Sequence, residues 1–185
     1  MGVDPGFANM GVSVLEWNGP GTPIQAIAGY VVSTDKKDAD RVTSDDTRRM
    51  RMLWMNLEQT IKTYQPHIIG VEAYTVYKPT QGGSQGKGTG WKALFAYAMT
   101  CTMSFSHNIP LKVFMPTDLK RRVASKVDAS KVDVERALAA RGIDLSAVLA
   151  DLPGGKHEHA ADAAGHGLMA LADYVQETCQ IDNLL

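Results

Sequence analysis

At 185 residues and 44% hydrophobic content, the chain suits one domain (1–185) with a true core. It offers no 18-residue apolar run for a membrane helix, no basic-then-apolar secretory leader and no Cys-x-x-Cys pair for zinc, so those classes are set aside. Cys101 and Cys179 are expected to be buried thiols in a reducing cytoplasm, and a net charge of −1 by itself speaks against a nucleic-acid partner, which needs clustered Lys and Arg.

Met1-Gly2-Val3 reads as the end of a strand that Asp4-Pro5-Gly6 breaks. Residues 11–17 alternate apolar and polar, as a half-buried strand does; a Gly/Pro turn follows over 18–23, and 26–33 is a third strand. Three strands with short links predict an antiparallel meander. Residues 34–45 are polar and read as a mobile loop. From Asp46 onward Met50, Leu53, Trp54, Leu57, Ile61 and Tyr64 recur at helical spacing, predicting one apolar stripe that ends at Pro66. Residues 67–73 are a short apolar run carrying one acid, a buried strand expected to lie parallel to the first because a helix precedes it. Residues 74–90 read as a glycine-rich flexible loop, 91–107 as a helix and 111–115 as a strand closed by Pro116. A helix or turn starts over 118–127. Residues 130–141 form a helix with Ser130 as N-cap and Gly142 at its end, 143–156 a loop, and 157–175 a last helix full of Ala and Gly. The order predicts an α/β fold with a mixed five-stranded sheet, three antiparallel strands plus two parallel ones, flanked by helices.

Three acids stand where burial is expected. Asp4 ends an apolar strand, Glu72 ends the strand Ile-Ile-Gly-Val-Glu, and Asp162 lies in a helix whose small residues allow close approach to a sheet. Each alone has a plainer explanation: Asp4 starts a turn, Glu72 pairs with a lysine, Asp162 faces solvent. If the two strands are adjacent and parallel, however, Asp4 and Glu72 end at the same edge, and converging carboxylates repel unless a cation meets them. All-oxygen ligands favour Mg²⁺ or Mn²⁺ over zinc. His159 and His166 share a helix face with Asp162 by their spacing, which makes His159 a candidate for metal ligation or water activation, with His157 and His166 in supporting roles. Between Lys120 and Lys131 there are five basic residues and one acid, either a solvated helix face or a local phosphate-binding stripe.

These motifs resemble those of RuvC-type Holliday junction resolvases. Gly2-Val-Asp-Pro-Gly-Phe-Ala-Asn-Met-Gly11 is similar to the family's opening signature, the segment 68–74 to its second acidic strand, 116–131 to its basic segment and His159-Ala-Ala-Asp162 to its C-terminal acidic motif. The resemblance spans nearly the whole chain. It implies an RNase H-like fold, a homodimer, and paired cleavage of four-way DNA junctions leaving 5′-phosphates, with two Mg²⁺ ions (or Mn²⁺) per site about 3.5–4 Å apart. It implies Asp4, Glu72, His159 and Asp162 as catalytic metal ligands, and Lys120, Lys131 and Arg121 as DNA contacts. It also implies an aromatic that wedges into the junction, Tyr74 or Tyr77, and partner proteins for branch migration. The chain departs from the family in its short first strand and in a longer, glycine-rich stretch after Glu72, as a divergent or viral branch would.

Other readings share parts of this pattern. Actin-like ATPases and sugar kinases open similarly but need a second phosphate loop, which is absent here. A non-catalytic junction binder gains nothing from three clustered acids. An RNase H-like nuclease acting on flaps or RNA–DNA hybrids fits the same residues.

Overall fold

A computed structural model describes residues 1–35, 42–74, 90–150 and 154–179. The expected loop over 74–90 falls mostly outside those residues, as does 36–41 of the one expected over 34–45, whose last four residues instead open a helix that begins at Val42; Tyr77 lies outside the described residues altogether. The strands are β1 (Gly2–Asp4), β2 (Asn9–Glu16), β3 (Gln25–Ser33), β4 (Ile69–Glu72) and β5 (Leu111–Phe114). The helices are α1 (Val42–Tyr64), α2 (Gly90–Ser106), α3 (Pro116–Val123), α4 (Lys131–Ala140), α5 (Ser146–Leu149) and α6 (His157–Cys179). The five strands form one sheet in the order β3-β2-β1-β4-β5. The β1, β2 and β3 strands pair antiparallel, and β4 runs parallel to both β1 and β5.

Side-chain alternation along the strands explains the two layers. Val3, Met10, Val12, Val14 and Val71 point to one face and pack with Leu53, Leu57 and Ile61 of α1 and Met99 and Met103 of α2. The opposite face receives α6, whose Ala160, Ala161, Ala164, Leu168 and Met169 join Leu119, Val123, Val134 and Leu138 from α3 and α4. Ser130 caps α4 as expected, in a reciprocal arrangement with Asp133, and Gly142 follows it at φ 77°, where a side chain would be strained.

Several sequence expectations are corrected. The α1 stripe is narrower than its spacing suggests, since Trp54 and Tyr64 are exposed while Leu53, Leu57 and Ile61 are buried. Pro116 does not merely close β5: its fixed φ and missing N–H suit the first helical position, and α3 begins there. Cys101 is only half-buried. The region expected to be loop before α6 carries α5 and a 3-10 turn at Gly154–Lys156. No described helix is long and apolar enough to cross a membrane.

Candidate active site

The site is set by where α6 rests on the sheet. A Cβ on Gly11 would lie 2.0 Å from the His159 carbonyl oxygen, one on Gly2 1.7 Å from that of Ala163, and one on Gly70 2.2 Å from that of His166. The helix main chain therefore crosses β2, β1 and β4 in direct contact with strand main chain, and only glycine leaves that room. Ser13, two residues beyond Gly11, donates from Oγ to the Ala160 carbonyl at 2.7 Å and pins the same seam. Alternation then fixes the acids. Asp4 is two residues after Gly2 and Glu72 two after Gly70, so both project to the α6 face. The β1–β4 register pairs Val3 with Val71, which sets Asp4 and Glu72 side by side at the C-terminal ends of parallel strands.

Asp162 reaches the same edge from the first turns of α6. Glu72 is pushed up to about 7, first by burial and then by the charges of Asp4 and Asp162. Asp162 is pushed up to about 6 by burial and by Asp4, against the pull of Lys131 and His159. His159 Nδ1 lies 2.6 Å from Asp4 Oδ2, and this hydrogen bond raises the imidazole above its ordinary range. Its Nε2 has Glu158 at 3.9 Å. Behind Glu72 sits His166, fully buried, which burial holds down at about 4.

Three elements thus bring Asp4, Glu72, His159 and Asp162 together. Asp162 has no ion pair with a described residue, and the one contact of this kind to Glu72 is His166 at 3.8 Å. Among the described residues no three such side chains already close on a single point at ligating distance. The donors instead gather at the edge as carboxylates only partly offset by His159 and Lys131, and carboxylate oxygen with one imidazole suits a hard divalent cation such as Mg²⁺ or Mn²⁺.

The basic segment divides. Lys131, at the start of α4, reaches Glu158 at 2.5 Å, and its charge is also favoured by Asp162 and Asp4, so it borders the acids directly. Arg121 pairs with Asp118 at 2.5 Å and Arg122 with Asp173, which leaves Lys120 and Lys126 without an ion pair among the described residues. Tyr74 is half-buried two residues past Glu72.

Sequence reasoning missed a second polar cluster at this edge. Phe7 in the loop after Asp4 is buried beneath Arg49, whose guanidinium lies 4.5 Å from the ring centre, and Lys92, at 5.4 Å. Lys92 bonds Asp46 at 2.7 Å, and Arg49 Nε donates to Thr34 Oγ1 at 3.0 Å. Asp46, Arg49 and Lys92 sit in the first turns of α1 and α2 on polar positions of those helices, so the apolar periodicity that marked the helices did not mark them. The Gly-Val-acid tripeptide that recurs at Gly2-Val3-Asp4 and Gly70-Val71-Glu72 was the available signal for the main seam.

The sequence and the fold have known counterparts. A family model described as crossover junction endodeoxyribonuclease RuvC matches residues 1–164. The relative so named from Polaromonas sp. is 27% identical over 166 residues, covering 89% of this chain and 79% of its own. That from Pseudothermotoga lettingae is 28% identical over 138 residues, covering 74% and 75%. The Thermus thermophilus RuvC in complex with Holliday junction substrate is similar in structure at a TM-score of 0.66 and 20% identity, over 89% of this chain and 87% of that one. The architecture is therefore RNase H-like. With nearly all of its length matched by the family model, the chain belongs to the crossover junction endodeoxyribonuclease RuvC family.

Proposed function

We propose that this chain resolves four-way DNA junctions by paired phosphodiester hydrolysis that leaves 5′-phosphates, using two Mg²⁺ ions per site, which Mn²⁺ replaces. The observation that carries the reading is the convergence of Asp4, Glu72 and Asp162 on one sheet edge, where burial and mutual repulsion push Glu72 to about 7 and Asp162 to about 6. Three partly desolvated carboxylates are costly to hold together unless cations meet them. Family membership supplies the matching expectation of a metal-dependent nuclease.

Asp4, Glu72 and Asp162 are the ligands. When bound, the ions stabilise the leaving oxygen and lower the pKa of the attacking water. His159 is oriented by its Nδ1 bond to Asp4, which leaves Nε2 to join the ligand set or to orient that water. Lys131, beside the acids, draws a phosphate into the site, and Lys120 and Arg121 on α3 hold the flanking backbone. Tyr74, two residues past Glu72, is the described candidate for the aromatic wedge; Tyr77 is the alternative. Paired cutting needs two copies, and α2 offers the seam: Trp91, Leu94, Phe95 and Phe105 are 46%, 44%, 41% and 73% exposed, spaced as on one side of a helix that meets its twin. The protein acts as one nuclease domain in the cytoplasm.

Labelled four-way junction, duplex, flap and RNA–DNA hybrid, each incubated with Mg²⁺ and with EDTA, test this. Symmetrical nicking of the junction is expected, absent in EDTA and in Asp4→Asn. Binding without cutting under every metal overturns the enzyme reading, and cutting of hybrid but not junction moves the substrate to another branch of the fold.

A further inference from the structure

His166 is fully buried, and neither of its ring nitrogens has a hydrogen-bond partner among the described residues. A buried, unpaired imidazole burdens folding in a way that a phenylalanine or leucine in its place would not, so its presence in an alanine-rich helix asks for a reason. Three constraints aim the ring. Its own carbonyl lies against Gly70, where a Cβ would approach to 2.2 Å, so the main chain is fixed on β4. Its ring stacks on Phe114, with centroids 6.4 Å apart and planes at 13°. Phe114 in turn pairs in register with Glu72. The ring edge that results presents Nε2 to Glu72 Oε2 at 3.8 Å.

We propose that His166 is a positioning residue for Glu72: its Nε2–H donates to Oε2 and holds the carboxylate toward Asp4 and Asp162 in the geometry that ligates a cation. The inference rests on the reading of Glu72 as a ligand given above. Closing from 3.8 Å to a hydrogen bond needs a shift of about 1 Å. That shift belongs to Glu72, because the imidazole is clamped by β4 and Phe114 while the glutamate side chain has three rotatable bonds. A donor behind a ligating carboxylate favours its ionised form and fixes which oxygen faces the metal.

Mn²⁺ binding measured by calorimetry on the DNA-free protein, together with kcat and KM on the junction, tests this in wild type, Glu72→Gln, His166→Phe and His166→Gln. His166→Phe keeps the volume and the stacking but has no N–H; it should weaken Mn²⁺ binding about 10–100-fold and lower kcat with KM unchanged. His166→Gln, which returns an N–H near the Nε2 position, should recover a large part of both losses. Wild-type Mn²⁺ affinity in a folded His166→Phe protein overturns the proposal. If Glu72→Gln is also unaffected, the ligand reading itself has failed; if Glu72→Gln alone loses affinity, only the role of His166 has. Should His166→Phe not fold, ¹⁵N NMR of the wild-type imidazole decides: Nε2 protonated with Mg²⁺ bound supports positioning, and Nε2 deprotonated overturns it.

Discussion

On the α6 side of the sheet, strand and helix meet main chain to main chain across Gly2, Gly11 and Gly70. On the α1/α2 side they are held apart by Val3, Met10, Val12 and Val71 packed against Leu53, Leu57, Ile61 and Met103. The two contacts respond differently to change. A core of large side chains relaxes around a defect, whereas two backbones in contact have no rotamer to adjust. The candidate site lies on the unyielding side, where the acids of β1, β4 and α6 are registered by the same glycines that seat the helix. The other side supplies stability and the exposed α2 stripe.

The glycine seam is most sensitive to a single added methyl group. In Gly2→Ala the new Cβ would meet the Ala163 carbonyl oxygen at 1.7 Å, so α6 must lift from β1 and carry Asp162 away from Asp4. Junction cleavage should fall far more than urea denaturation accounts for. Leu57→Ala empties a fully buried position on the other side and should cost about 2–5 kcal/mol, yet the protein that remains folded should cut at the wild-type rate. Equal cleavage by folded Gly2→Ala and Leu57→Ala proteins would show that the glycine seam does not register the acids.

A smaller effect sharpens the electrostatics of that seam. Glu72 titrates at about 7 in the folded protein against an ordinary 4.5. Between those values the folded state keeps a proton that the unfolded chain has released, so this group's contribution is fully present below about 4.5 and is lost as pH rises through 7. His166, held down at about 4, works the opposite way as pH falls, which is why the useful quantity is a difference. Without metal, the Tm of Glu72→Gln minus that of wild type should grow as pH is raised from 4.5 to 7, and Mg²⁺ should shrink it at pH 7 by stabilising the ionised form in wild type alone. A difference that stays flat with pH means the three acids do not press on one another.

Much of this was legible in the sequence, for particular reasons. Period-two alternation marked β2, and Ser130 and Gly142 bounded α4, because those signals are local. The acids could be named from their apolar surroundings, and the match of four ordered motifs gave the family. What stayed hidden depended on contacts across the fold. The bond between Asp4 and His159 joins residues 155 apart, and the Lys131–Glu158 pair joins α4 to α6. Arg49, Asp46 and Lys92 gather around Phe7 only once α1 and α2 start at the same edge as the loop after Asp4. The α1 stripe was overdrawn because helical spacing alone does not tell how wide a face the sheet covers, and Trp54 and Tyr64 fell beyond it.

The mildest change for the fold addresses the α1/α2 side, where the proposed dimer seam lies. Phe95 is 41% exposed on α2, so Phe95→Glu gives up part of a packed ring and should lower the Tm only modestly. Facing a second copy, the same carboxylate would be desolvated against its own twin, and like charges in that position are strongly disfavoured. Sedimentation at micromolar concentration should therefore show a dimer for wild type and a monomer for Phe95→Glu. The acids of each copy are untouched by the substitution, so single-strand nicking of the junction should persist while simultaneous cuts in both strands disappear. A wild-type monomer that still makes paired cuts overturns the seam; a Phe95→Glu dimer moves it to another face of the molecule.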